Sequence, residues 1–96
     1  GQTAVDGEGR PQHPDDLRAQ LALALDNLEA VLAAAEMKLA NVTRLNVYTT
    51  DVDETLKHFD LLGTRFGPAN PPMTLLGVAR LALPGLAIEL EATAAD

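Results

Sequence analysis

The chain has 96 residues, a net charge of −7 and no cysteine, so we expect one small domain without a disulfide, a thiolate nucleophile or a cysteine-based metal site. The negative charge opposes nucleic-acid binding, which gains most of its affinity when Lys and Arg neutralise phosphates. No apolar stretch approaches the roughly 18 residues of a membrane span and no signal-peptide pattern occurs, so we predict a cytoplasmic protein without a membrane partner.

The first part of the chain predicts a short strand, a turn and a long helix. Residues 2–5 are interpreted as the tail of a strand before a turn at residues 6–9. Asp15 is the predicted N-cap of the helix, and Asp16 follows in the first turn, where a carboxylate interacts favourably with the helix dipole. The helix is expected to end near Glu36, at a position where a left-handed backbone is common and glycine is preferred. Its apolar residues recur at helical spacing: Leu17, Leu21, Ala24, Leu25, Leu28, Val31, Leu32 and Ala35.

A strand and a second helix are predicted next. Residues 42–49 alternate between apolar and polar positions, with Leu45 and Val47 on one face. Thr50 or Asp51 can cap the second helix, and a Gly-Pro pair directly after the apolar stripe is expected to end it. That stripe consists of Val52, Leu56, Phe59, Leu62 and Phe66.

The last quarter of the chain predicts a β-hairpin. Two apolar segments at residues 71–81 and 88–92 are separated by a Pro-Gly turn at residues 84–85. Antiparallel pairing about that turn sets Arg80 opposite Glu89 and matches apolar with apolar positions, whereas a slip of one residue mixes them.

Alternating helices and strands predict an α+β domain in which two helices cover one face of a mixed sheet. The other face is expected to stay open and polar, which suits a contact between subunits that contains a cleft. The residues predicted for that face are Arg44, Asn46, Tyr48, Val78, Arg80, Glu89 and Glu91.

Two interpretations of Glu89 follow from spacing alone. It can form an exposed cross-strand ion pair with Arg80, which is worth about 0 to 1 kcal/mol. Alternatively, it lies in a cleft and acts as a general acid or base, its pKa raised by Glu91 on the same face. No serine occurs in the chain, which excludes a Ser-His-Asp nucleophile. Residues 51–54 lack the glycine and distal glutamate of a calcium loop, so no metal is expected.

Several segments together resemble, in register, sequences of the YjgF/Rid family of small proteins: residues 1–2, 24–28 with 31–35, 47–51, 77–81 and 88–92. The resemblance implies a single Rid-like domain over residues 1–96, although the family domain usually carries two further strands upstream. It also implies a chorismate-mutase-like fold and a homotrimer with clefts between subunits.

The resemblance further implies the chemistry. Many family members hydrolyse reactive enamines and imines to 2-oxo acids and ammonia without a cofactor. By position, Gly1 matches a glycine that lines the cleft, and Glu89 matches a glutamate thought to position the attacking water. Met73 occupies the position of the arginine that binds the substrate carboxylate, and neighbouring Thr74 offers one hydroxyl and no charge. A thioether cannot replace the charge-assisted hydrogen bonds of a guanidinium, which are worth about 1.5 to 3 kcal/mol.

We therefore predict a homotrimer that binds a small metabolite or hydrolyses it at sites between subunits. The metabolite is expected to be uncharged or to lack an amino-acid carboxylate, and the protein is not expected to deaminate amino-acid imines at a useful rate. Neither a cofactor nor a metal is expected. An ordinary cofactor-independent enamine/imine deaminase is the first alternative, and a non-catalytic trimeric interaction protein is the second. Some family members carry a ribonuclease label, which the acidic charge of this chain opposes.

Overall fold

The computed structural model describes the backbone of residues 1–96 and every side chain except that of Ala69. The strands are β1 (Gln2–Thr3), β2 (Val42–Thr49), β3 (Met73–Gly77) and β4 (Ile88–Ala94). The α-helices are α1 (Leu17–Ala34), α2 (Val52–Leu56) and α3 (Asp60–Phe66), and short 3-10 turns cover Leu39–Asn41 and Gly67–Ala69.

The four strands form one mixed sheet in the order β1, β4, β2, β3. β4 runs antiparallel to both of its neighbours, whereas β3 runs parallel to β2. Side chains from the sheet and from two of the helices form one apolar core: Leu21, Leu25, Leu28 and Leu32 of α1, Leu62 and Phe66 of α3, and Leu45, Val47, Ile88 and Leu90 of the strands. The prediction of an α+β domain with helices on one face of a mixed sheet is therefore confirmed.

The predicted hairpin is wrong. β3 and β4 lie on opposite sides of β2, so Glu89 is in register with Tyr48 and Thr3 rather than with Arg80. β3 reaches its parallel position by a crossover through α2 and α3, as parallel neighbours require. Residues 78–87 then form a loop that carries Arg80 across the end of β2 to the start of β4.

The first helix begins one residue later than predicted. Asp16 is the N-cap, and its carboxylate accepts a hydrogen bond of 3.0 Å from the backbone N–H of Ala19. Asp15 lies outside the helix with a left-handed φ of 66°, so it cannot cap it. At the other end, Glu36 has a φ of 59°, which confirms that the chain leaves the helix through a left-handed residue there.

The second predicted helix is divided into α2 and α3. Its expected apolar stripe fails at Leu56, whose side chain is 53% exposed. Thr55 points inward instead, and its hydroxyl donates to the backbone carbonyl of Asp51 at 2.7 Å. Between the two helices the backbone N–H groups bond three residues back rather than four, which tightens the turn and redirects α3. Asp51, one of the two predicted caps, is the N-cap of α2.

Candidate functional site

The sheet face opposite the helices is polar and uncovered in a single chain. We call it the open face, and its residues alternate with the buried ones along β2, β3 and β4. It consists of Thr3, Arg44, Asn46, Tyr48, Thr74, Leu76, Glu89, Glu91 and Thr93. Five of the seven residues predicted for it lie there, whereas Val78 and Arg80 belong to the loop after β3.

Glu91 is held in place by two neighbours on β2. The side-chain amide of Asn46 donates to its Oε1 at 3.0 Å, and the hydroxyl of Tyr48 donates to the same oxygen at 2.8 Å. These hydrogen bonds hold the pKa of Glu91 below its ordinary value, because they stabilise the charged form. The bond from Asn46 has the larger effect and the bond from Tyr48 the smaller one. The hydrogen bond that the Tyr48 hydroxyl donates to Glu91 raises the pKa of Tyr48, because it favours the protonated phenol. Glu91 is thus an ionised, oriented carboxylate.

Glu89 lies beside Gly1. Gly1 directly precedes β1, which flanks β4 on the side away from β2. A methyl group added to Gly1 would approach Oε2 of Glu89 to 2.6 Å, so the bare backbone at this position lets the carboxylate lie against it. Glu89 is half-buried, and among the described residues its carboxylate makes no hydrogen bond or ion pair. Both oxygens can therefore accept a hydrogen bond from water or a ligand.

Met73 and Thr74 point to opposite sides of the edge strand β3. Met73 is in register with buried Leu45 and packs against the core. Thr74 is in register with Asn46 on the open face, where its Oγ1 accepts a hydrogen bond of 2.8 Å from Nη2 of Arg44.

The four residues predicted for the site are not brought together within one chain. Gly1 and Glu89 lie side by side, Thr74 lies farther along the open face, and Met73 packs against the core. The charged residues of the open face fall into two ends. The acidic end of the open face comprises Glu89 and Glu91, with Gly1 beside it, and the basic end comprises Arg44 and Thr74. Glu89 and Thr74 lie on strands that flank β2, two residues apart in register. With about 4.8 Å between strands and 3.3 Å per residue, their Cα atoms are about 12 Å apart. The structure therefore separates Glu89 from Thr74 on the open face of one chain.

Sequence reasoning placed Asn46, Tyr48 and Arg44 on the open face but gave them no role. Alternation along β2 was sufficient to find the face, whereas the hydrogen bonds depend on which strands flank β2. Among the residues the structure describes, no group of three or more His, Asp or Glu side chains is arranged to hold a metal ion. Within the same residues, no helix has both the length and the apolar character to cross a membrane.

A four-stranded mixed sheet with helices on one face and a polar row on the other defines an α+β domain with one uncovered sheet face. The chain belongs to the endoribonuclease L-PSP family, whose family model matches residues 1–96 and which takes in the YjgF, RutC and Rid proteins. The predicted family is confirmed.

Individual relatives agree with this assignment. A RutC family protein of Pyrococcus horikoshii is 31% identical over 94 residues, which are 98% of this chain and 74% of that protein. The crystal structure of YyfB, a Rid-family protein of unknown function from Yersinia pestis, is 36% identical, with a TM-score of 0.89 over 98% of this chain and 73% of that one. A YjgF/YER057c/UK114 family member from Mycobacterium tuberculosis is 32% identical, with a TM-score of 0.83 over 98% and 74% of the two chains.

Proposed function

We propose that this protein is a cytoplasmic homotrimer that binds a small metabolite between its subunits and lacks the amino-acid imine deaminase activity usual for Rid proteins. The observation that carries the proposal is the position of Met73. Its thioether packs against the core at the point where the resemblance expects a substrate-binding arginine. A thioether offers no charge and no strong donor to a substrate carboxylate.

The separation of the two ends of the open face supports a site between copies. Glu89 and Thr74 lie about 12 Å apart in one chain, so a compact site that contains both positions needs one of them from a second subunit. The open face is also the one large sheet surface that the helices leave uncovered within the described chain. A second copy packed there converts it into the walls of a cleft.

An imine-hydrolysis assay tests the deaminase part of the proposal. A pyridoxal-phosphate enzyme generates the amino-acid imine, and the disappearance of the imine is followed by absorbance. With the unmodified protein or with Met73→Leu, we expect the imine to disappear at the same rate as in buffer alone. With Met73→Arg, we expect it to disappear faster. β3 is an edge strand, so an arginine at position 73 can extend its charged end past the edge into the cleft. Turnover by the unmodified protein that Met73→Arg fails to increase contradicts the proposal.

Glu89 favours an alternative, a hydrolase for enamines or imines that lack a carboxylate. Its carboxylate lies against Gly1 and has both oxygens open, which is the arrangement needed to orient a water molecule. In this alternative, Glu89→Gln abolishes turnover of a neutral imine and leaves the unfolding temperature unchanged. Equal rates for the two proteins would exclude a catalytic role for Glu89.

The open face argues against an RNA substrate, although the family description names an endoribonuclease. Glu89 and Glu91 lie side by side on it, and the chain carries a net charge of −7. Both repel a phosphate backbone. RNA affinity that falls steeply with salt concentration would revive that function.

A further inference from the structure

Tyr48 lies beside two carboxylates on the open face but donates to only one of them. It is in register with Glu89 on β4, yet its hydroxyl donates to Oε1 of Glu91, two residues farther along that strand. Directly opposite residues of an antiparallel pair have Cβ atoms about 5 Å apart, whereas diagonal neighbours are about 7 to 8 Å apart. The phenol therefore extends past the nearer position to form this hydrogen bond.

The two carboxylates extend to opposite sides of β4. Glu91 extends toward β2, where Asn46 and Tyr48 donate to the same oxygen at 3.0 and 2.8 Å. Glu89 extends toward Gly1, which has no Cβ and so leaves room for it: an added methyl group would lie 2.6 Å from Oε2 and 3.0 Å from the carboxyl carbon. Among the described side chains, Glu91 thus receives both hydrogen bonds on this part of the face.

The phenol of Tyr48 is within electrostatic reach of Glu89 as well. The hydrogen bond to Glu91 is the main cause of the raised pKa of Tyr48, and the charge of Glu89 also contributes. Without an acceptor at Glu91, a change of rotamer would bring the hydroxyl to the carboxylate directly opposite. A carboxylate that accepts such a hydrogen bond is stabilised as the anion, so it is a weaker base.

We infer that Glu91 is a positioning residue, which holds the Tyr48 hydroxyl so that the carboxylate of Glu89 stays free to orient a water molecule. The inference rests on the hydrolase alternative of the proposed function, because it gives the neighbour of Glu89 a part in that reaction. Neither Glu91 nor Tyr48 touches the substrate in this role. The difference between two carboxylates on one sheet face, one bound and one open, is then part of the site.

The titration of the Glu89 carboxyl carbon, followed by NMR, tests the inference. Glu91→Gln removes the charge near Glu89 but keeps an oxygen that accepts from Tyr48, so it is the matched control. Glu91→Ala removes both the charge and the acceptor, which releases the hydroxyl. We expect the titration midpoint of Glu89 to fall further in Glu91→Ala than in Glu91→Gln, by on the order of half a pH unit. Adding Tyr48→Phe to Glu91→Ala should return the midpoint to that of Glu91→Gln, because the donor is gone.

Two titration results would overturn the inference: equal midpoints in Glu91→Ala and Glu91→Gln, or a difference between them that survives Tyr48→Phe. Glu91→Val also lacks an acceptor and suits a strand, so it repeats the comparison where Glu91→Ala does not fold.

Turnover of a neutral imine separates this inference from the proposed function. We expect Glu91→Ala to have a lower kcat than Glu91→Gln, by up to about threefold, the change that half a pH unit of basicity allows, and Tyr48→Phe to restore it. The expected midpoints without turnover by any of these proteins contradict the hydrolase alternative and support the positioning of Tyr48 by Glu91. Equal kcat values in Glu91→Ala and Glu91→Gln, with turnover present, refute the positioning role.

Discussion

Replacement of Gln20 by leucine is expected to destabilise the protein strongly. Gln20 lies on α1 and is fully buried. Its side-chain amide donates to the carbonyl groups of Gly85 at 2.6 Å and Gln12 at 3.1 Å, and its Oε1 accepts from the N–H of Ala87 at 2.8 Å. This side chain therefore ties the loop before β4 and the segment before α1 to the helix.

Leucine keeps the volume of Gln20 but leaves these three backbone groups without partners. A buried polar group that loses its partner costs about 1 to 3 kcal/mol. Three such groups add to about 3 kcal/mol or more, and each 1 kcal/mol lowers the unfolding temperature of a domain this small by about 4 to 8 °C. We therefore expect a decrease of at least about 12 °C, measured by circular dichroism at matched protein concentrations. A decrease of less than about 4 °C would show that the loop does not depend on Gln20, and the reasoning would be refuted.

Two further predictions concern other parts of the chain. Glu36→Gly removes a side chain from a residue with a φ of 59°, so it should raise the unfolding free energy by about 1 kcal/mol in urea denaturation; a decrease would show that the Glu36 side chain makes a stabilising contact. Tyr48→Phe removes one of the hydrogen bonds that hold the pKa of Glu91 down, so that pKa should rise toward its ordinary value. Carboxyl carbon chemical shifts followed as a function of pH measure the change, and an unaltered titration of Glu91 would contradict the described hydrogen bond.

The faces of the sheet could be predicted from the sequence, whereas the order of its strands could not. Leu45 and Val47 are buried because only one face of β2 meets the helices, and period-two alternation records that directly. The turn at residues 84–85 made a hairpin the simplest interpretation of the two apolar segments that flank it. Alternation does not state which strand lies beside which, so the predicted pairing of Arg80 with Glu89 was wrong.

The candidate site shows the same division. The carboxylate of Glu91 could be placed on the open face, but its bonds to Asn46 and Tyr48 exist only because β4 pairs with β2. Likewise, Arg44 and Thr74 meet only because β3 lies parallel to β2 on its other side. Contacts between residues far apart in sequence depend on the tertiary arrangement, which a single sequence records only weakly.

The position of β4 has a consequence for the order in which the protein folds. β2 pairs with β4 along one edge, and β4 follows every other described strand in the sequence. During synthesis, this edge of β2 therefore lacks its partner until β4 has been made, and contacts between such distant segments form slowly. An edge left unpaired for that time can join the same edge of another nascent chain, so early aggregation is the hazard that this topology creates.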